Sequence, residues 1–154
     1  MTPLLATYLN DHLAGATGGL ELFRHAAGAQ HSPQLERITQ EIAEDRQSLL
    51  AILRALDVPV DRLKVAAGWV GEKAMRLKPN GSLLHRSPLD AVVELESMTL
   101  GVQGKAAGWR VLRALADTEP ALDGVALDRL IERADRQVSE LEQLRMAAAL
   151  AALA

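Results

Sequence analysis

Apolar residues recur at helical spacing along most of the chain, which predicts long amphipathic helices. The first such segment runs from about Pro3 to Ala29 and ends in a short stretch of small and polar residues. The second segment opens at Ser32–Pro33 and ends at Asp57–Pro59. A serine followed by proline is typical of a helix start, because serine caps the free amides and proline fits the first turn.

Three further segments complete the pattern. A shorter helix is predicted from about Asp61 to Leu77, where a Lys-Pro-Asn-Gly turn follows. The fourth segment begins at Ser87–Pro88 and reaches about Asp117, and the fifth runs from about Asp123 to the alanine-rich end. Because no segment shows the alternation of a strand, the predicted fold class is all-α, with residues 1–154 forming a single domain.

Four of the predicted helices are long, about 24 to 30 residues or roughly 36–45 Å. Long helices joined by short turns pack as antiparallel hairpins, and two such hairpins make a four-helix bundle. The link between the hairpins, from Asp57 to Ser87, contains the extra short helix. That helix is long enough to carry the chain most of the way along the bundle. We therefore predict a crossover connection rather than an up-down-up-down order.

Composition and charge exclude several classes of function. The chain has no cysteine, which excludes disulfides, thiolate metal sites and cysteine nucleophiles. The net charge of −3 gives no general attraction to nucleic acid or anionic lipid. No apolar run reaches the roughly 18 residues that span a bilayer, and the N-terminus lacks the positive start of a secretory signal. We therefore expect a cytoplasmic protein that does not associate with membranes.

The stretch from Val60 to Arg86 is the basic part of the chain, with six basic and two acidic side chains. A solvated helix face explains this excess of positive charge. We do not expect nucleic-acid binding, because no aromatic side chains alternate with the basic ones to stack on bases.

Two long helical hairpins joined by a long crossover resemble the ferritin-like superfamily over nearly the whole chain. The family's di-iron site takes a carboxylate from each of two helices and a Glu-x-x-His motif from each of the other two. That motif is missing here, since Glu44 is followed three residues later by Gln47, and Glu132 by Asp135. The resemblance therefore implies a divergent ferritin-like bundle without the usual iron ligands.

Four polar side chains fall among apolar residues when each helix is drawn at about 100° per residue. They are His12, Asp45, Glu96 and Arg145. One hypothesis is that His12, Asp45 and Glu96 bind iron or manganese, as a family site with exchanged ligands. The alternative is structural pairing of His12 with Asp45 and of Glu96 with Arg145, because burying any of these groups alone is costly.

Glycines also recur inside two predicted helices, where each costs about 1 kcal/mol relative to alanine. They are Gly15, Gly18, Gly19, Gly101, Gly104 and Gly108. Such glycines indicate either close helix packing, with room for the tryptophan side chains, or a subunit interface or cofactor cleft.

The sequence shows no catalytic motif, neither a phosphate-binding loop nor a nucleophile elbow. We expect a non-catalytic bundle without a cofactor. It would self-associate as a homodimer through the glycines and the alanine-rich end, or bind a partner or a small ligand in a cleft near Trp109. The alternative is a divergent metal-binding protein that handles iron or oxidative stress.

Overall fold

The computed structural model describes residues 2–67 and 87–154, and the regular structure in these two ranges is helical. The long helices are α1 (Pro3–Gln30), α2 (Pro33–Ala55), α3 (Pro88–Leu115) and α4 (Gly124–Leu153). Residues 62–67 are also helical, and the rest of the predicted short helix lies outside the described residues. The predicted all-α class is confirmed, and each long helix begins and ends within one turn of its predicted bounds.

The predicted capping residues begin the helices. Ser32 accepts a hydrogen bond from the backbone N–H of Leu35 at the start of α2. Ser87 accepts one from the backbone N–H of Leu89, and its own N–H donates to the Asp90 carboxylate. These bonds satisfy amides that have no partner within the helix, which is why the two serines mark helix starts so clearly.

Contacts between α1 and α3 show that these helices are antiparallel. Gln30 Nε2, at the end of α1, donates to Glu94 Oε2 near the start of α3 at 3.4 Å. His12, in the first half of α1, lies against Gly108 in the second half of α3. Each hairpin, α1 with α2 and α3 with α4, is joined by a short turn and packs closely.

Ion pairs join α2 to α4 and show that these helices are also antiparallel. Arg37 near the start of α2 binds Glu140 in the second half of α4. Arg133, earlier in α4, binds Glu44 at 2.8 Å. It follows that α2 and α3 run in the same direction, so the end of α2 and the start of α3 lie at opposite ends of the bundle.

The interior is built from large aliphatic side chains contributed by all four long helices. Each buried leucine stabilises the fold by about 1.5–3 kcal/mol relative to an exposed one. The largest apolar side chains that are almost completely buried include Leu9, Leu13, Leu35, Ile38, Leu53, Leu95, Met98, Leu112, Leu127 and Leu141. Within residues 2–67 and 87–154, no helix has a stretch long and apolar enough to cross a membrane.

Asn10 ties α1 to the chain that leaves α2. Its buried side chain donates from Nδ2 to the backbone oxygen of Pro59 at 3.1 Å. Its Oδ1 accepts a hydrogen bond from the backbone N–H of Asp61 at 2.7 Å. The residues that precede the short helical segment are thereby fixed against α1.

Replacing Asn10 with alanine should lower the free energy of unfolding by about 1–3 kcal/mol, because two backbone groups lose their hydrogen-bond partner in a partly buried position. Urea denaturation measures this loss. The control is Thr7→Ala, which removes only an exposed hydrogen bond to Pro3 within the first turns of α1 and should change stability by less than about 0.5 kcal/mol. Equal effects of the two substitutions would show that Asn10 does not anchor this segment.

Candidate functional site

A cavity of about 410 Å³ lies between α1 and α3 and extends to α2. This volume is within the range of about 300–1,000 Å³ that small-molecule sites occupy. Most of its walls are apolar, formed by residues such as Leu9, Phe23, Ile42, Leu49, Met98 and Leu112. Trp109, near which the sequence suggested a cleft, also lines the cavity.

Glycines on both helices open this cavity. Those that line it are Gly15, Gly19, Gly101, Gly104 and Gly108. A Cβ atom built at any of the first four would have no atom of a neighbouring helix within 4 Å. If these four glycines permitted close helix packing, a Cβ would meet the facing helix. The geometry therefore favours a cleft or a subunit interface over close packing of α1 against α3.

Gly108 has a different role, because it makes room for the ring of His12. A Cβ at this position would lie 2.9 Å from Cε1 of that ring, closer than real Cβ contacts come, and 3.1 Å from Nδ1. The ring also meets Tyr8 edge to face, with the centroids 4.5 Å apart. Burial lowers the pKa of His12, although the carboxylate of Asp11 acts in the opposite direction. The imidazole is therefore neutral at pH 7.

Asp45 is buried, as the sequence predicted, but its partner is a lysine rather than His12. The carboxylate is 1% exposed, and its Oδ2 accepts a hydrogen bond from Lys105 Nζ. The same ammonium donates to Gln137 Oε1 at 2.7 Å. Gln137 is fully buried on α4 and donates from Nε2 to Glu41 Oε2 at 2.9 Å. We call Asp45, Lys105, Gln137 and Glu41 the Lys105 network; it joins α2, α3 and α4.

The Lys105 network combines desolvation with charge pairing. Burial lowers the pKa of Lys105, and the neighbouring Asp45 carboxylate raises it. Arg133 Nε also lies 3.4 Å from Asp45 Oδ1. With two cationic side chains facing it, Asp45 does not fit a metal-ligand role. Lys105 was not among the predicted site residues, although a buried carboxylate on α2 is itself a signal that a cation must reach it.

Glu96 does not lie in the interior, which corrects the predicted face of this helix. Its side chain is 50% exposed, and Oε1 lies 3.5 Å from Arg145 Nη1. The predicted stripe placed Glu96 with Leu100, but Leu100 is 68% exposed. The buried stripe passes through Leu95 and Met98 instead. Glu96 and Arg145 do face each other, but at the surface, where such a pair contributes at most about 1 kcal/mol.

The three predicted metal ligands are not gathered into one site. His12 and Asp45 line the cavity, whereas Glu96 is not part of its walls. In the two ranges that the structure describes, no group of three or more His, Asp or Glu side chains could hold a metal ion. Binding of iron or manganese therefore stays a prediction from the sequence.

Comparisons with known proteins add no family to this description. No protein-family model matches the sequence. No curated protein and no solved structure is significantly similar to the chain. The resemblance to the ferritin-like superfamily accordingly stays a prediction from the layout of the helices.

Replacing Lys105 with methionine should lower the free energy of unfolding by about 3–5 kcal/mol, because Asp45 would stay buried without its closest cation. The double variant Asp45→Leu with Lys105→Met should recover most of this loss, since no buried charge is left alone. The matched control is Arg110→Met, on the same helix as Lys105. This change breaks an exposed ion pair with Asp135 on α4 and should lower the free energy of unfolding by less than about 1 kcal/mol. Chemical denaturation measures all three. A Lys105→Met protein as stable as the control would contradict the network.

Proposed function

We propose that this protein is a non-catalytic helical bundle that binds a small apolar molecule in the cavity between α1 and α3. The observation that carries the proposal is the open space at the cavity glycines. Alanine would fit at Gly15, Gly19, Gly101 or Gly104 without meeting another helix. Each glycine nevertheless costs about 1 kcal/mol of helix stability. Packing of α1 against α3 does not require glycine at these positions. Room for a ligand between the two helices does, which explains why the loss of helix stability is tolerated.

The chemistry of the cavity walls supports an apolar ligand. The charged side chains that line it already have partners within the protein. Lys105 belongs to the network described above, Arg46 Nε donates to Thr17 Oγ1 at 3.1 Å, and Asp11 binds Lys64 at 2.8 Å. Burial of apolar surface, worth about 25 cal/mol per Å², is therefore the main source of affinity that the walls offer.

We further propose that the bundle has the ferritin-like arrangement. Two observations support it: the helices form two antiparallel hairpins, and α2 and α3 run in the same direction. A connection between the hairpins that passes from one end of the bundle to the other is what this layout requires. We assign the function of this bundle to its cavity rather than to a metal site, because the carboxylate of Asp45 already binds the ammonium of Lys105.

The neutral dye N-phenyl-1-naphthylamine, whose fluorescence rises in apolar sites, tests the ligand proposal. We expect saturable binding of one dye per chain. Gly104→Leu should lower the affinity at least tenfold, or about 1.4 kcal/mol, because the new side chain fills the cavity. The matched control is Gly28→Leu, since Gly28 also faces open space on α1 but lies outside the cavity.

Gly104→Ala provides a second measurement on the same site. It should raise the free energy of unfolding by up to about 1 kcal/mol, because alanine favours the helix and meets no neighbour. Absence of saturable dye binding by the folded wild-type protein would contradict the proposal. So would the same loss of affinity in the Gly104→Leu and Gly28→Leu proteins.

Self-association is a second candidate function, favoured by an apolar row on the outer face of α3. Val93, Leu100 and Val111 are exposed there, with Ala107 in the same row. Residues spaced by seven and four along a helix form one stripe, which a second helix can cover. We propose a homodimer in which two copies of α3 pack antiparallel through this row, with the two Leu100 side chains at the centre of the contact.

Sedimentation at tens of micromolar tests the dimer. The wild-type protein should sediment as a dimer, and Leu100→Glu should make it a monomer because a charge would be buried at the centre of the contact. The control is Leu150→Glu, a change at an equally exposed leucine in the alanine-rich end of α4. A monomeric wild-type protein contradicts the dimer, and dissociation by Leu150→Glu alone would place the contact at that end.

A further inference from the structure

His12 presents an unpaired imidazole among the apolar residues of the cavity. In the described part of the chain, neither of its ring nitrogens has a hydrogen-bond partner. Trp109 Nε1 and Asp45 Oδ1 also lack a hydrogen-bond partner, but both atoms have almost no accessible surface, so a ligand could not reach them without a shift of the side chain. His12 is only partly buried and lines the cavity.

The protein holds the His12 ring in place from two sides. Tyr8 meets it edge to face, one turn earlier on α1. On α3, position 108 carries no side chain, and a Cβ there would collide with the ring at 2.9 Å. The absence of a side chain at position 108 therefore lets the His12 ring sit at a defined place in the cavity wall. Fixed polar groups in apolar sites orient the ligands that bind there.

The charge state of the His12 imidazole determines which kind of ligand group it would bind. Burial lowers the pKa of His12, so the ring is neutral at pH 7, with one nitrogen a donor and the other an acceptor. A neutral ring offers no net charge to an anion. A hydroxyl group suits it best, because a hydroxyl can donate to one ring nitrogen or accept from the other.

A bound metal or metal-containing cofactor suits His12 less well. Histidines that ligate metals almost always donate the other ring N–H to a carboxylate, a carbonyl or water. No described protein group takes that place at His12. The adjacent Asp11 carboxylate binds Lys64 instead.

We propose that His12 is the hydrogen-bonding group of the cavity, and that the ligand is a neutral apolar molecule carrying one hydroxyl group. This inference rests on the proposed function, because it requires that the cavity hold a ligand. The remaining walls would contact the apolar body of the molecule, while His12 would fix its orientation.

The test compares 2-naphthol with naphthalene, which share a two-ring body and differ by the hydroxyl. Binding of each to the full chain at pH 7 is measured by equilibrium dialysis. A purely apolar cavity would favour naphthalene, because a hydroxyl resists transfer from water. We expect the wild-type protein to bind 2-naphthol about five- to tenfold more tightly, as one new hydrogen bond provides.

His12→Leu should reverse this preference and leave the affinity for naphthalene within about twofold, since leucine keeps an apolar wall. His12→Gln should keep part of the preference, because an amide can still bond to the hydroxyl. The control is His25→Leu, at an exposed histidine of α1 outside the cavity, which should leave both affinities unchanged.

The outcomes separate this inference from the function on which it rests. If the wild-type protein binds both probes without preferring 2-naphthol, or if His12→Leu keeps the preference, the role of His12 is overturned and the cavity is still a binding site. If neither these probes nor N-phenyl-1-naphthylamine binds, the proposed function fails and the inference fails with it.

Discussion

The interior of this bundle depends on the hydrogen bonds that the ammonium group of Lys105 makes with Asp45 and Gln137. The ammonium reaches from α3 to Asp45 on α2 and to Gln137 on α4, all within the buried interior. A charge in that position is stable only while its partners stay in place, so the network fixes the relative positions of three helices. Helix α1 takes no part in it and packs mainly through apolar side chains, with hydrogen bonds such as that from Gln30 to Glu94 on α3.

The cavity lies at the boundary where α1 meets α3. Gly15 on one helix and Gly104 on the other leave open space where side chains would fit. A sequence selected for stability alone would carry alanine there, and local choices that oppose the fold are expected mainly at functional sites. At the same boundary the His12 ring lies against Gly108. The open volume of the cavity and the position of its imidazole therefore both depend on glycines in these two helices.

Much of this fold is predictable from residues that act locally, and much of the site is not. Ser32 and Ser87 mark helix starts because a cap depends on the few residues beside it. Asp45 could be placed inside because α2 has one clear apolar stripe. On α3, apolar residues such as Leu100 continue onto the exposed side, so its periodicity could not show that Glu96 faces solvent. Lys105 escaped prediction because a long side chain reaches its partner only through the register between helices.

The position of a bound probe tests most directly whether the cavity is the binding site. In protein labelled at the methyl groups of leucine and methionine, nuclear Overhauser contacts from bound N-phenyl-1-naphthylamine should reach Met98 and Leu112 on the cavity wall. Contacts confined to the exposed leucines at the end of α4, Leu150 and Leu153, would show that the dye binds a surface patch and would contradict a ligand site between α1 and α3.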